Sequence, residues 1–148
     1  MMYSSNRIVR HQMIIWMLIL SLLLIPSTHS QVTPTECLAK KQGGLWDDSE
    51  TWDCGRVPNP TDRVSMNGFT VGIPSGLTVN RAAQTTVGPD SRLSVMGTLT
   101  IESVGLNTLA VSGNGILSMT LGTLNNNAFI TLGGNNFIST DSTLNNNA

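Results

Sequence analysis

Apolar residues alternate with polar ones along the second half of the chain, in short runs separated by glycine, asparagine, serine and aspartate. An apolar residue at every second position is the period of a β-strand with one face turned to a core. The runs follow one another too closely for helices to fit between them, so the pattern predicts an all-β fold. They are RVSM (63–66), GLTV (76–79), RLSV (92–95), GTLTI (97–101), NTLAV (107–111), GILSM (115–119), AFITL (128–132) and NFIST (136–140).

The hexapeptide TLNNNA occurs at 123–128 and again at 143–148, twenty residues apart. A repeat of this length is typical of one coil of a solenoid, in which coils stack at about 4.8 Å. We therefore expect the two copies to form the same corner of adjacent coils, with asparagines hydrogen-bonded from coil to coil. Low-complexity drift in a flexible spacer is the alternative, and the apolar residues between the two copies disfavour it.

Charge is almost absent from the same region, since only Glu102 and Asp141 are charged after Arg92. A disordered tail would carry more charge, and an antiparallel sandwich would protect its edges with lysine. Stacked parallel coils avoid columns of like charge, so the composition favours a right-handed parallel β-helix over residues 61–148. Because no cap is visible at its end, we expect this β-solenoid to be truncated.

The first thirty residues have the parts of a secretory signal. Basic residues precede an uncharged apolar run at 13–25, which is shorter than the roughly 20 residues of a membrane-spanning helix, and Pro26 ends the run. Small residues before Gln31 predict cleavage between Ser30 and Gln31. An uncleaved signal anchor is the alternative. In both cases the sequence predicts a secreted, extracellular or cell-surface location, with no membrane span in the mature chain.

Removal of residues 1–30 leaves 118 of the 148 residues, with six basic and nine acidic side chains and a net charge of −3. Both histidines leave with the signal segment. The mature chain has no cluster of lysine and arginine, which argues against nucleic acid as a partner. A polysaccharide or another cell-surface protein is the expected partner.

Residues 31–60 are polar, acidic and irregular, and they predict a cap of loops in front of the solenoid. Cys37 and Cys54 are an even pair, which in an oxidising compartment most simply forms one disulfide. A metal pair or a catalytic thiol is the alternative, although no histidine remains to assist either. Trp46 and Trp52 are expected to close one end of the core, held there by the disulfide.

Four carboxylates surround the two tryptophans, and oxygen ligands of this kind suit calcium. They are Asp47, Asp48, Glu50 and Asp53. Their spacing does not match a twelve-residue calcium-binding loop with a central glycine and a terminal glutamate, so we expect turn and capping roles. The sequence predicts no metal site, no cofactor and no catalytic residue.

Residues 43–103 resemble the opening of a family of extracellular right-handed parallel β-helix domains. Related motifs begin many bacterial surface adhesins and the eight-glycine extracellular domain of animal cell-surface proteins. The motif elements are W, W, G-x-VP, D-x-V, G-x-T-V and L-x-V-x-GTL, in that order. The matching positions are Trp46, Trp52, Gly55, Val57, Pro58, Asp62, Val64, Gly76, Thr78, Val79, Leu93, Val95, Gly97, Thr98 and Leu99. The resemblance implies a surface β-helix and assigns Trp46, Trp52, Gly55 and Pro58 to its cap.

Three functions remain open at this stage. A non-enzymatic adhesion, scaffold or glycan-contacting module fits the signal segment and the missing catalytic set. A fragment of a polysaccharide lyase or hydrolase is the alternative, for which Asp90 and Glu102 would be the carboxylates to test. An ice-binding surface would need ranks of threonine in register, whereas Thr98 and Thr100 are the only T-x-T pair on a predicted strand.

Overall fold

The computed structural model describes residues 34–102, 108–133 and 137–147. These residues belong to one of the two compact units into which the chain divides, Thr33–Ala148. The predicted signal segment, with its cleavage position between Ser30 and Gln31, lies outside the described residues and stays a prediction. Within the described ranges, none of the helices has the length and apolar character to span a membrane.

Fourteen β-strands and one short 3-10 helix, Ser49–Thr51, form the described part of the chain. Most strands have four residues. In chain order they are β1 (Glu36–Leu38), β2 (Gly44–Leu45), β3 (Arg63–Met66), β4 (Thr70–Ile73), β5 (Thr78–Arg81), β6 (Thr85–Val87), β7 (Arg92–Val95), β8 (Thr98–Ile101), β9 (Thr108–Val111), β10 (Ile116–Thr120), β11 (Thr123–Asn126), β12 (Phe129–Leu132), β13 (Phe137–Thr140) and β14 (Thr143–Asn146).

The strands form three sheets, and the strand pairs within each sheet are parallel. The first sheet has the order β1-β3-β6-β9-β12, the second β2-β4-β7-β10-β13 and the third β5-β8-β11-β14. From β3 onward the chain visits the three sheets in turn and starts again. The fold is therefore a parallel β-solenoid, as the sequence predicted. Its hand stays a prediction.

The TLNNNA repeat occupies equivalent positions on adjacent coils, because Thr123 pairs with Thr143 and Leu124 with Leu144. The prediction that the repeat forms a corner is corrected, since its first four residues lie in β11 and β14. In the first copy Leu124 is buried in the core, and the alternation of this inward residue with outward neighbours is that of a strand. The sharp turns come just before each copy, where Leu121 and Asp141 have left-handed backbone angles, with φ of 55° and 48°.

The core is a set of apolar columns that run through the stacked coils. In the second sheet Val71, Leu93 and Leu117 lie over one another, and each is fully buried. The third sheet adds the column Val79, Leu99 and Leu124, all at most 6% exposed. Burial of a side chain of this size stabilises the fold by about 1.5 to 3 kcal/mol. The alternation seen in the sequence therefore fixes which face of each strand points inward.

The cap closes the core at the β3–β5 coil. The prediction of a cap made only of loops is corrected, because β1 and β2 lie within it and pair with β3 and β4. Trp46 and Trp52 are 2% and 0% exposed, and their rings meet edge to face with centroids 5.0 Å apart. Trp52 Nε1 donates a hydrogen bond of 2.9 Å to the Trp46 carbonyl. Cys37 and Cys54 form a disulfide with a Cα separation of 5.1 Å. The structure thus places both rings against the core and joins the two ends of the cap.

The two remaining cap residues of the resemblance lie on the segment that leads from the disulfide to β3. Gly55 has a left-handed backbone angle, φ of 71°, which favours glycine. Pro58 is buried. This segment carries the chain from the cap into the first full coil.

Candidate functional site: a threonine and asparagine face

The outer surface of the third sheet carries only threonine and asparagine at its strand positions. Two columns of these side chains run along the stack, with one member of each column on β5, β8, β11 and β14. We name this surface the Thr/Asn face. Its first column is Thr78, Thr98, Thr123 and Thr143, and its second column is Asn80, Thr100, Asn125 and Asn145.

The face arises from the strand period together with the register. On each strand the residue between the two columns points inward, as Leu99 and Leu124 do, so the flanking residues point outward. Parallel pairing places equivalent residues about 4.8 Å apart along the stack, and the two columns lie about 6.6 Å apart along each strand. The result is an array of hydroxyl and amide groups in which every residue is exposed or half-buried.

Hydrogen bonds between coils hold the second column in place. Asn145 Nδ2 donates to Asn125 Oδ1 at 2.8 Å, and Asn125 Nδ2 donates to Thr100 Oγ1 at 3.3 Å. These bonds confirm the predicted asparagine ladder. These bonds orient the amides of Asn125 and Asn145, so this part of the second column presents its donors and acceptors in fixed directions.

Absence of charge distinguishes the Thr/Asn face from the other two outer surfaces. Arg63 lies on the outer side of the first sheet and Arg92 on that of the second. The eight residues of the Thr/Asn face contain no ionisable side chain. This surface therefore suits a neutral, hydrogen-bonding ligand, and its own groups would give the binding no pH dependence.

A buried charged cluster links the cap to the first full coil, and the sequence analysis did not identify it. The Asp62 carboxylate is fully buried and accepts two hydrogen bonds from Arg56, of 2.5 Å and 3.1 Å. It also accepts backbone N–H bonds from Thr35 and Asn59, of 3.1 Å and 2.7 Å. The Arg56 side chain and these two N–H groups together lower the pKa of Asp62 from 3.8 to about 2.

Arg81 belongs to the same cluster and is fully buried. Its guanidinium donates to the carbonyls of Asn59 and Asp62 and to Thr85 Oγ1, and it lies 5.5 Å from the centre of the Trp46 ring. Burial lowers its pKa to about 10, and the charge of Asp62 opposes that shift. Because Arg81 and Asp62 are both fully buried, these two side chains stabilise the junction from inside the protein, while Arg56 stays partly exposed.

The acidic residues considered for catalysis do not share a strand or a sheet. Asp90 precedes β7 at the turn between the first and second sheets, and its carboxylate accepts a hydrogen bond from the Asn114 amide one coil on. Glu102 follows β8, where the chain leaves the third sheet. The structure places the two carboxylates at different corners of the coil.

The carboxylates near the tryptophans act within the cap. Asp48 caps the 3-10 helix through a 2.9 Å bond from the Glu50 N–H and forms an ion pair with Lys41 at 2.8 Å. The Lys41 ammonium and the Glu50 N–H lower the pKa of Asp48. Asp53 accepts a 2.6 Å bond from the Leu38 N–H. Within the described ranges, the structure contains no group of three or more metal-ligating side chains.

None of the family models, curated proteins or solved structures compared with the chain matches it.

Proposed function

We propose that the chain is a secreted or cell-surface module that contacts neutral polysaccharides through the Thr/Asn face and does not cleave them. The observation that carries this proposal is the array of eight uncharged polar side chains in register over four coils. A polysaccharide offers repeated hydroxyl groups, each of which can donate to and accept from threonine and asparagine. The amides of Asn125 and Asn145 are already oriented by bonds between coils, so they need little further ordering on binding, which lowers the entropic cost.

The test is a panel of immobilised glycans. It contains neutral β-linked glucans and chitin as candidate ligands and an acidic pectate for comparison. We expect the purified chain to be retained on a neutral polymer and to release no reducing ends. Retention on none of the neutral polymers would contradict the proposal. Release of reducing ends that is abolished by Glu102→Gln would instead establish the enzymatic alternative.

A matched pair of variants locates the contact. Thr98→Lys places a long charged side chain within the Thr/Asn face, and we expect it to weaken retention about tenfold. Thr86→Lys makes the same change on the same coil, at a half-buried outward position of the first sheet. It should leave retention unchanged. Equal losses from both substitutions would show that the Thr/Asn face is not the contact surface.

Ice binding is a second candidate, which one observation favours. The column Thr78, Thr98, Thr123 and Thr143 supplies four ranks of threonine in register, which is the feature that such a surface needs. The neighbouring column has asparagine in three of its four ranks. Inhibition of ice recrystallisation that is lost in Thr98→Lys and kept in Thr86→Lys would support this candidate. Recrystallisation at the rate of a buffer control would rule it out.

A further inference from the structure

A further row of side chains borders the Thr/Asn face on the side where its strands end. The Glu102 N–H donates to the Arg81 carbonyl at 2.8 Å. One coil on, the Asn127 N–H donates to the Ile101 carbonyl at 2.9 Å, so Glu102 and Asn127 continue the register of the strands they follow. The Asn147 amide in turn donates to Asn127 Oδ1 at 3.0 Å. We call Glu102, Asn127 and Asn147 the border row.

Glu102 lies on the outer side of the sheet, next to the second column of the Thr/Asn face. Its neighbour Ile101 is 1% exposed and points to the core, so strand alternation places Glu102 on the same side as Thr100. The two residues are about 6.6 Å apart along the chain. Glu102 is half-buried. None of the hydrogen bonds and ion pairs between described residues engages its carboxylate, which leaves it available to a ligand.

Glu102 is the one charged member of the border row, and the next five residues, 103–107, include no ionisable side chain. Asp141 borders the opposite side of the Thr/Asn face, two coils on from β8. Strand geometry puts it at least about 15 Å from Glu102, beyond the screening length of about 8 Å at physiological salt. The guanidinium of Arg81 lies inside the protein and donates to the carbonyls of Asn59 and Asp62. The charge beside the middle of the Thr/Asn face is therefore that of Glu102.

We propose that Glu102 gives the Thr/Asn face a preference for polysaccharides that carry protonated amines, which are polymers of amino sugars. The inference rests on the proposed function, because the polymer must first lie along the face. A polymer that follows the stack passes beside Glu102, whose carboxylate attracts an ammonium group and repels an acidic one. Because Glu102 is half-buried, salt screens this attraction less than it would at a fully exposed site.

The test compares two β-1,4-linked oligomers of equal length, one of glucose and one of glucosamine. At a mildly acidic pH that keeps the amines protonated, each unit of the second oligomer has an ammonium group in place of one hydroxyl group. Isothermal titration calorimetry of the purified chain gives the two dissociation constants. We expect the glucosamine oligomer to bind about fivefold more tightly at low salt, and this preference to shrink as salt is added.

Three variants assign the preference to Glu102. Glu102→Gln removes the charge and should reduce the preference to less than about twofold, whereas Glu102→Asp keeps the charge and should retain part of it. Glu36→Gln is the matched control, since it removes the same charge from an exposed position of β1 in the first sheet. It should keep the full preference. An unchanged signal from the buried Trp46 and Trp52 would show that all three variants remain folded.

The outcomes separate this inference from the proposed function. Equal binding of the two oligomers by the unmodified chain, or an equal preference in Glu102→Gln and Glu36→Gln, would overturn the role of Glu102. In those cases binding of the glucose oligomer would still support the proposed function. Binding of neither oligomer would also overturn the inference, and retention on the panel of neutral glycans would then decide on the proposed function by itself.

Discussion

Replacement of Asp62 by asparagine tests whether the buried carboxylate stabilises the junction between cap and solenoid. The carboxylate accepts four hydrogen bonds, two from Arg56 and two from backbone N–H groups. Asparagine has one oxygen acceptor and brings an NH₂ group, whose protons would face donors. The substitution therefore leaves buried donors without an acceptor and removes the charge that faces Arg56.

The expected magnitude follows from the pKa of Asp62, which the fold lowers from 3.8 to about 2. One pKa unit corresponds to about 1.4 kcal/mol, so the ionised carboxylate contributes about 2 kcal/mol to the free energy of unfolding. Because the pKa is lower in the folded state, this contribution is complete above the unfolded pKa. It is lost as the pH falls from about 4 through about 2.

Equilibrium urea unfolding, followed by tryptophan fluorescence, measures this contribution. At pH 7 we expect Asp62→Asn to lower the free energy of unfolding by about 2 kcal/mol or more. The free energy of unfolding of the variant should also fall less as the pH drops from about 4 to about 2, because protonation of Asp62 no longer contributes to that fall. Asp141→Asn is the matched control, since Asp141 is exposed and asparagine tolerates its left-handed backbone. Equal stability of Asp62→Asn and the unmodified chain would refute the reasoning.

Three further changes probe the cap, the amide columns and the coil corners. Joint replacement of Cys37 and Cys54 by alanine removes a disulfide that joins residues 17 positions apart, and urea unfolding should show a free energy of unfolding lower by about 3 kcal/mol. An unchanged urea midpoint would contradict this. Asn126→Asp removes the buried amide that donates to Asn146, and we expect it to lower the free energy of unfolding by about 1 to 3 kcal/mol. An unchanged free energy of unfolding would show that this hydrogen bond does not stabilise the fold. Gly97→Ala would place a Cβ 2.3 Å from the Leu77 carbonyl oxygen and should lower the thermal midpoint of unfolding. Gly72→Ala is the control, because its Cβ would have its nearest contact at 3.6 Å and should leave the midpoint unchanged. Equal midpoints for the two variants would refute the predicted crowding.

The sequence predicted much of the fold because alternation and burial coincide in this chain. The runs RVSM and RLSV match β3 and β7 at both ends. The run GLTV at 76–79 starts two residues before β5, since Gly76 lies in a turn with φ of 82° and the strand begins after it. The sequence did not predict β6, because this strand has only three residues and one of its two buried side chains, Thr85, is polar.

The Thr/Asn face could not be derived from the sequence because it depends on register between coils of unequal length. Thr98 follows Thr78 by 20 residues, while Thr123 follows Thr98 by 25, so no fixed period connects the four threonines. The cluster around Asp62 was missed for a related reason. Arg81 lies on the inward face of β5, two positions after Val79, but the sequence does not show which groups accept its hydrogen bonds there; the fold brings the carbonyls of Asn59 and Asp62 to it.

Oxidative crosslinking between engineered cysteines tests the parallel, in-register stack most directly. Thr98 and Thr123 lie directly over each other on adjacent coils, within the Cα separation that a disulfide needs. Asn125 lies two positions further along the same strand. Under a mild oxidant we expect the pair Thr98→Cys with Thr123→Cys to crosslink, and Thr98→Cys with Asn125→Cys to remain largely free. Equal crosslinking of both pairs, or preference for the second, would contradict the register on which the Thr/Asn face depends.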